Sequence, residues 1–186
     1  MPFESKEGPE RLCGECAASA RPFESARSAA LYDGAILDAV RLLKYHSRFE
    51  FVKPLSRLLV EALRGHGIES DAVVMPVPLH EKKLRERCFN QSLLMARGVA
   101  RAFSLGLDYT TLVRSRPTAS QTGLKADERR ENVRGAFIVI APERVKGKTV
   151  LLVDDVYTTG STIAECSKVL KKAGARTRVM TVARSV

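Results

Sequence analysis

The sequence predicts an α/β domain with a mainly parallel, twisted sheet flanked by helices. Two observations carry this. Segments with apolar residues at helical spacing alternate along the chain with short apolar runs of strand type. One of those runs, Val150-Leu-Leu-Val153, is apolar without a break, as expected of a strand covered on both faces. The 186 residues, 45% hydrophobic and 28% charged, suit one domain of ordinary size with a small appendage and exclude a disordered chain.

Each element follows in order. Residues 1–30 are polar and rich in small side chains, and read as a short N-terminal arm ahead of a domain over 31–186. From Asp33 to Leu63 apolar residues recur at helical spacing, with Arg48 to Lys53 dividing two helices and Pro54 tolerated in the first turn of the second. Ala72 to Pro78 reads as a buried strand stiffened at its end by two prolines. Arg87 to Phe103 has a helical period, and Leu107 to Val113 is a weaker strand. Arg114 to Gly135 is charged, with almost no apolar period, and a polar stretch that long within a domain is often functional. Ala136 to Ile140 is a strand, Ser161 to Ala173 an amphipathic helix that Gly174 ends, and Thr177 to Ala183 a closing strand.

Charge and cysteines bound the function. There are 31 Lys and Arg against 21 Asp and Glu, a net charge of +10 that fits nucleic acid or a phosphorylated small molecule. With 6% aromatic residues and no Trp, a base-stacking platform has little material. No apolar run reaches the ~18 residues of a membrane span, and the N-terminus lacks a signal peptide's apolar core, so a cytoplasmic protein is expected. Of the four cysteines only Cys13 and Cys16 are close, at the spacing of one knuckle of a zinc site; two further ligands are not evident, so a vestigial or truncated site stays open beside zinc binding.

The chemistry concentrates in Val150 to Thr162. Asp154 and Asp155 leave the strand together, and a carboxylate pair can accept both hydroxyls of a vicinal diol. Thr158, Thr159, Gly160, Ser161 and Thr162 then bring amides and hydroxyls to a helix N-terminus, a cradle for a phosphate dianion. Diol and phosphate on one ligand mean a ribose 5-phosphate. Two rival phosphate motifs fail: Gly65-x-Gly67-x-x-Ser70 follows a helix instead of a strand, and Gly147-Lys148-Thr149 precedes a strand and has Pro142 where a P-loop needs glycine.

This segment resembles the phosphoribosyl-pyrophosphate signature of type I phosphoribosyltransferases. Tyr32-Asp-Gly34, Leu43-Lys-Tyr45, Pro76 to His80, Arg85 to Gln91, Arg116-x-Thr118-x-x-Gln121, Arg129-x-x-Asn132 and Ala136-Phe137 resemble, in order and spacing, the ComF competence-protein family. The resemblance implies a type I phosphoribosyltransferase fold that binds phosphoribosyl pyrophosphate with Mg2+. Asp154 and Asp155 would hold the ribose hydroxyls, and Thr158 to Thr162 the 5-phosphate. The neighbourhood of Val77, Pro78, Leu79 and His80 would meet pyrophosphate, with Lys82, Lys83, Arg85 and Arg87 adding charge. Arg114–Gly135 would be the loop that closes over the reaction centre, and its Arg116, Gln121 and Arg129 candidates for contacting pyrophosphate or an acceptor. Fuller members carry an N-terminal zinc module with two cysteine pairs, of which Cys13 and Cys16 look like the last, and glycine usually stands at Cys88. The implied reaction is phosphoribosyl transfer to an acceptor the sequence does not name, linked to DNA uptake. The alternative is a non-catalytic nucleotide sensor or a ligand-responsive factor handling single-stranded DNA beside the competence machinery.

Overall fold

The structure is a computed structural model that describes residues 21–118 and 126–185. Its centre is a five-stranded sheet. The strands are β1 (Ser25–Leu31), β2 (Val73–Pro76), β3 (Gly106–Leu107), β6 (Thr149–Tyr157) and β7 (Arg176–Arg184), in the order β1-β7-β6-β2-β3 and all parallel. A separate antiparallel ribbon pairs β4 (Leu112–Arg114) with β5 (Phe137–Val139).

Helices cover both faces, as a parallel sheet demands. On one side lie α1 (Gly34–His46), α2 (Val52–Leu63) and α4 (Gln91–Phe103), whose Leu43, Leu55, Leu59 and Met95 close a core over Leu151, Val153 and Met180. On the other, α6 (Ser161–Lys172) brings Ile163, Cys166 and Leu170 against Val150, Leu152 and Val179. These side chains are essentially inaccessible, and each full burial contributes roughly 1.5–3 kcal/mol. Alternate residues of β6 therefore serve opposite cores, which becomes important at its carboxyl end.

The helices and strands expected between Asp33 and Pro78, and from Val150 onward, are present. Four local readings change. Ser25–Leu31, of which all but Leu31 was expected to belong to an irregular arm, is an edge strand whose small side chains give no alternation to read. The helix expected from Arg87 is two: α3 (Glu81–Arg87) ends at Cys88 in the left-handed region (φ +65°), and α4 starts three residues on, capped by Asn90. Leu107–Val113 splits between β3 in the main sheet and β4 in the ribbon, with Asp108 turning the chain through bonds to Thr110 and Thr111. Within the polar stretch, α5 (Ala126–Val133) forms without an apolar stripe; among its described side chains only Val133 reaches the core, and helix α6 packs beside it.

The connections fix where a ligand goes. From β2 the chain runs outward through α4 to β3, and from the adjacent β6 it runs the opposite way through α6 to β7. Neighbouring strands whose connections diverge open a crevice at their carboxyl ends, the usual binding position in open α/β sheets.

Candidate functional site

That crevice is a cleft of about 1650 Å3. Its floor is the end of β6 and the first turn of α6; its walls are α1 with Tyr32, the β2–α3 segment, and the start of the chain that follows β4.

The turn into α6 is unlike an ordinary capped helix start. Gly160 is the N-cap, in the left-handed region (φ +71°), and no side chain caps the helix. A Cβ at 160 would run into the Tyr157 ring, so glycine is required twice over, by conformation and by space. Thr159 spends its hydroxyl on Ser161 (2.8 Å between oxygens). Thr158, Gly160, Ser161 and Thr162 line the cleft, where the helix N-terminus favours an anion; Thr159 does not line it.

The two aspartates do not leave the strand together. Strand β6 continues to Tyr157, so the pair projects to opposite faces. Asp155 points toward α1 and α4 and is nearly inaccessible. Lys44 Nζ sits 2.8 Å from one of its oxygens, and Gln91 Nε2 donates to the other at 2.7 Å. Burial pulls the Lys44 ammonium down, but the Asp155 charge and hydrogen bond outweigh it and leave Lys44 above its ordinary value. Asp154 is the open carboxylate. Its Oδ1 accepts from Ser92 Oγ (2.8 Å) and the Asp155 amide (2.9 Å), while Oδ2 has no hydrogen bond among the described residues. Burial, and then the neighbouring Asp155 charge, push Asp154 up to about 7, against the pull of Lys44 and Ser92.

A closed polar circuit holds this floor. Arg87 donates to Gln91 Oε1 (2.6 Å) and lies 5.6 Å over the Tyr45 ring; Gln91 holds Asp155, which pairs with Lys44, the neighbour of Tyr45. Asn90 ties the same region to β2 by donating to the Val77 carbonyl (3.1 Å) while capping α4.

Val77, Pro78, Leu79, His80, Lys82, Lys83 and Arg87 all face the cleft. His80 acts as the N-cap of α3, its Nδ1 accepting from the Lys82 amide (3.2 Å). Arg85 does not line the cleft; it is exposed and pairs with Glu81 (2.8 Å). Nor does Arg116, whose guanidinium donates to the carbonyls of Asn132 (3.0 Å) and Arg134 (2.8 Å) and so braces the polar stretch instead of facing a ligand. The Arg129 side chain, Gln121, Cys13 and Cys16 lie outside the described residues. Lys44, Gln91, Ser92 and Arg114 are cleft residues to which sequence reasoning assigned no role; the first three touch the aspartates only through contacts spanning roughly a third of the chain or more. Among the described residues no three His, Cys, Asp or Glu side chains gather as a metal cage, and no helix is long and apolar enough to cross a membrane.

Comparisons with known proteins show the family. Residues 88–184 match the family described as phosphoribosyl transferase domain. The chain is 35% identical over 169 residues to DNA utilization protein YhgH of Escherichia coli O157:H7, covering 89% of this chain and 74% of that protein. It is 30% identical over 167 residues to Competence protein F of Haemophilus influenzae, covering 87% and 73%. Among solved structures, the allosteric regulatory enzyme of purine biosynthesis is similar over 70% of this chain and 25% of that one, at 23% identity and a TM-score of 0.47. An uncapped helix start and an open carboxylate at the switch point of a parallel sheet thus coincide with a family match over half the chain, and the chain belongs to the phosphoribosyl transferase domain family, among its ComF-type competence proteins.

Proposed function

We propose that the cleft binds phosphoribosyl pyrophosphate with Mg2+ and that the chain transfers the phosphoribosyl group to an acceptor. The observation that carries this is the β6–α6 turn, which sets an open carboxylate and an anion-binding helix start side by side on one cleft floor. The 5-phosphate would sit on Thr158 and Gly160 to Thr162, and the ribose hydroxyls on Asp154. Asp155 would act from behind, held by Lys44 and Gln91. Pyrophosphate would lie toward Val77 to His80, Lys82 and Arg87.

The donor set suits Mg2+ carried by the substrate. A cation that keeps several waters and phosphate oxygens needs only one or two carboxylates, and Asp154 offers one free oxygen. When bound, such an ion would supply neutralisation of the charge on pyrophosphate. In the displacement the acceptor forms a bond to the anomeric carbon as the bond to pyrophosphate breaks, its electron pair leaving with the oxygen. The chain's part is to orient the sugar phosphate and to place fixed cations where that charge grows. Cys13 and Cys16 remain proposed as ligands of a structural zinc. The relatives' names, with the +10 charge, favour a role in handling incoming single-stranded DNA, either as the setting of the transfer or as a ligand-responsive function without turnover.

Calorimetric titration with phosphoribosyl pyrophosphate and Mg2+, with and without short single-stranded DNA, tests the reading. Saturable binding lost in the D154N/D155N double variant is expected. Equal affinity in wild type and double variant would refute the site.

A further inference from the structure

The cations lining the cleft are not equivalent. Lys44 is paired with Asp155, Lys83 with Glu86, and Arg87 with Gln91 and Tyr45. Arg41 and Lys82 stand exposed to water. Arg114 differs from all of these. At the end of β4 its guanidinium is half-buried, lies 5.4 Å over the Phe137 ring and donates to Thr118. Its Nε is buried with no hydrogen-bond partner, and among the described residues no carboxylate lies within ion-pair distance of it. Asp154 is near enough to act on its charge without pairing with it.

The cleft is therefore lined, without their pairing to each other, by a carboxylate with one unused oxygen and by a half-buried guanidinium whose terminal Nη1 has no hydrogen bond among the described residues. A ligand meeting both must offer a hydroxyl on one side and an anionic oxygen on the other. In a 1-phosphorylated ribose those two groups sit on neighbouring carbons.

We infer that Arg114 is a catalytic residue of this site, contacting the pyrophosphate oxygens on the anomeric carbon while Asp154 holds the adjacent hydroxyl. The inference rests on the proposed binding of phosphoribosyl pyrophosphate. As the bond from that carbon to oxygen breaks, the electron pair passes to pyrophosphate, and the growing charge faces a fixed guanidinium with no proton transfer needed. The Phe137 platform and the Thr118 bond hold the group in place beforehand, so little reorganisation accompanies the step. Arg116, nearby in sequence, is committed to backbone carbonyls and does not share this role.

The test compares two ligands, phosphoribosyl pyrophosphate with Mg2+ and ribose 5-phosphate, on wild type, Arg114→Gln and Arg114→Lys, with thermal melts to confirm folding. Arg114→Gln should weaken phosphoribosyl pyrophosphate about 10- to 100-fold and ribose 5-phosphate by about twofold or less, since only the first carries the contacted group. Arg114→Lys should recover part of the loss, because it restores charge without the planar fork. Should Arg114→Gln fail to fold, the lysine variant carries the test through the same difference between ligands. Equal losses for both ligands, or an unchanged affinity for phosphoribosyl pyrophosphate, would overturn the assignment. A wild type that binds neither ligand would instead refute the functional reading on which it rests.

Discussion

Replacing Lys44 with methionine probes the cleft floor directly. Lys44 is 18% exposed and Asp155 8%, so the pair lies between the surface regime, worth up to about 1 kcal/mol, and the buried regime, where loss of one partner costs about 3–5 kcal/mol. Methionine keeps most of the aliphatic volume but strands the Asp155 carboxylate, which among the described residues retains only its bond from Gln91. Destabilisation near the lower end of the buried range, about 3 kcal/mol, is expected. Asp155→Asn should cost less, because its amide oxygen can still accept from Lys44. In the double variant neither charge remains, and much of the loss should return. Urea unfolding of all four proteins closes the cycle, and a coupling energy of about 2 kcal/mol is expected. A coupling below about 0.5 kcal/mol would mean that the pair is solvated like a surface ion pair, and would refute the picture of a closed floor with one carboxylate locked behind it.

Other predictions follow from single residues. Asp154 titrates near 7 in the fold against an ordinary 3.8, so the folded state holds a proton that the unfolded chain has lost between those values. Its contribution to stability is thus greatest below about pH 4 and is lost as pH rises through 7. Asp154→Asn removes that loss, so its stability relative to wild type should be greater at pH 8 than at pH 4, by about 1–3 kcal/mol in urea melts; an equal difference at both pH values would refute the shift. Cys88 closes α3 in the left-handed region, where a Cβ costs about 1 kcal/mol, so Cys88→Gly should raise unfolding free energy by about that amount. Unchanged stability would show that the α3–α4 turn relaxes to accommodate the side chain.

What was legible in the sequence was local. The β6–α6 turn announces itself because strand, acidic residues, hydroxyls and glycine are contiguous, and the contacts within it are short in sequence. The partners of the aspartates were not legible. Lys44, Gln91 and Ser92 meet them only once helices α1 and α4 have packed at the end of β6. The division of labour between Asp154 and Asp155 depends on how far β6 extends, and the polar letters after Val153 concealed that the strand runs on to Tyr157. Likewise Arg114 and Arg116 look alike as letters; Arg114 ends β4 and lies over Phe137 in the cleft, whereas Arg116 lies beyond the strand and donates to the carbonyls of residues 132 and 134.

The lock on Asp155 also constrains descent. A lineage that lost Lys44 alone would bury an unmatched negative charge, and one that lost Asp155 alone would bury an unmatched positive one. Positions 44, 91 and 155 should therefore change together or not at all among related chains, while position 154, held by a single neutral side-chain hydroxyl from Ser92, carries no such charge constraint.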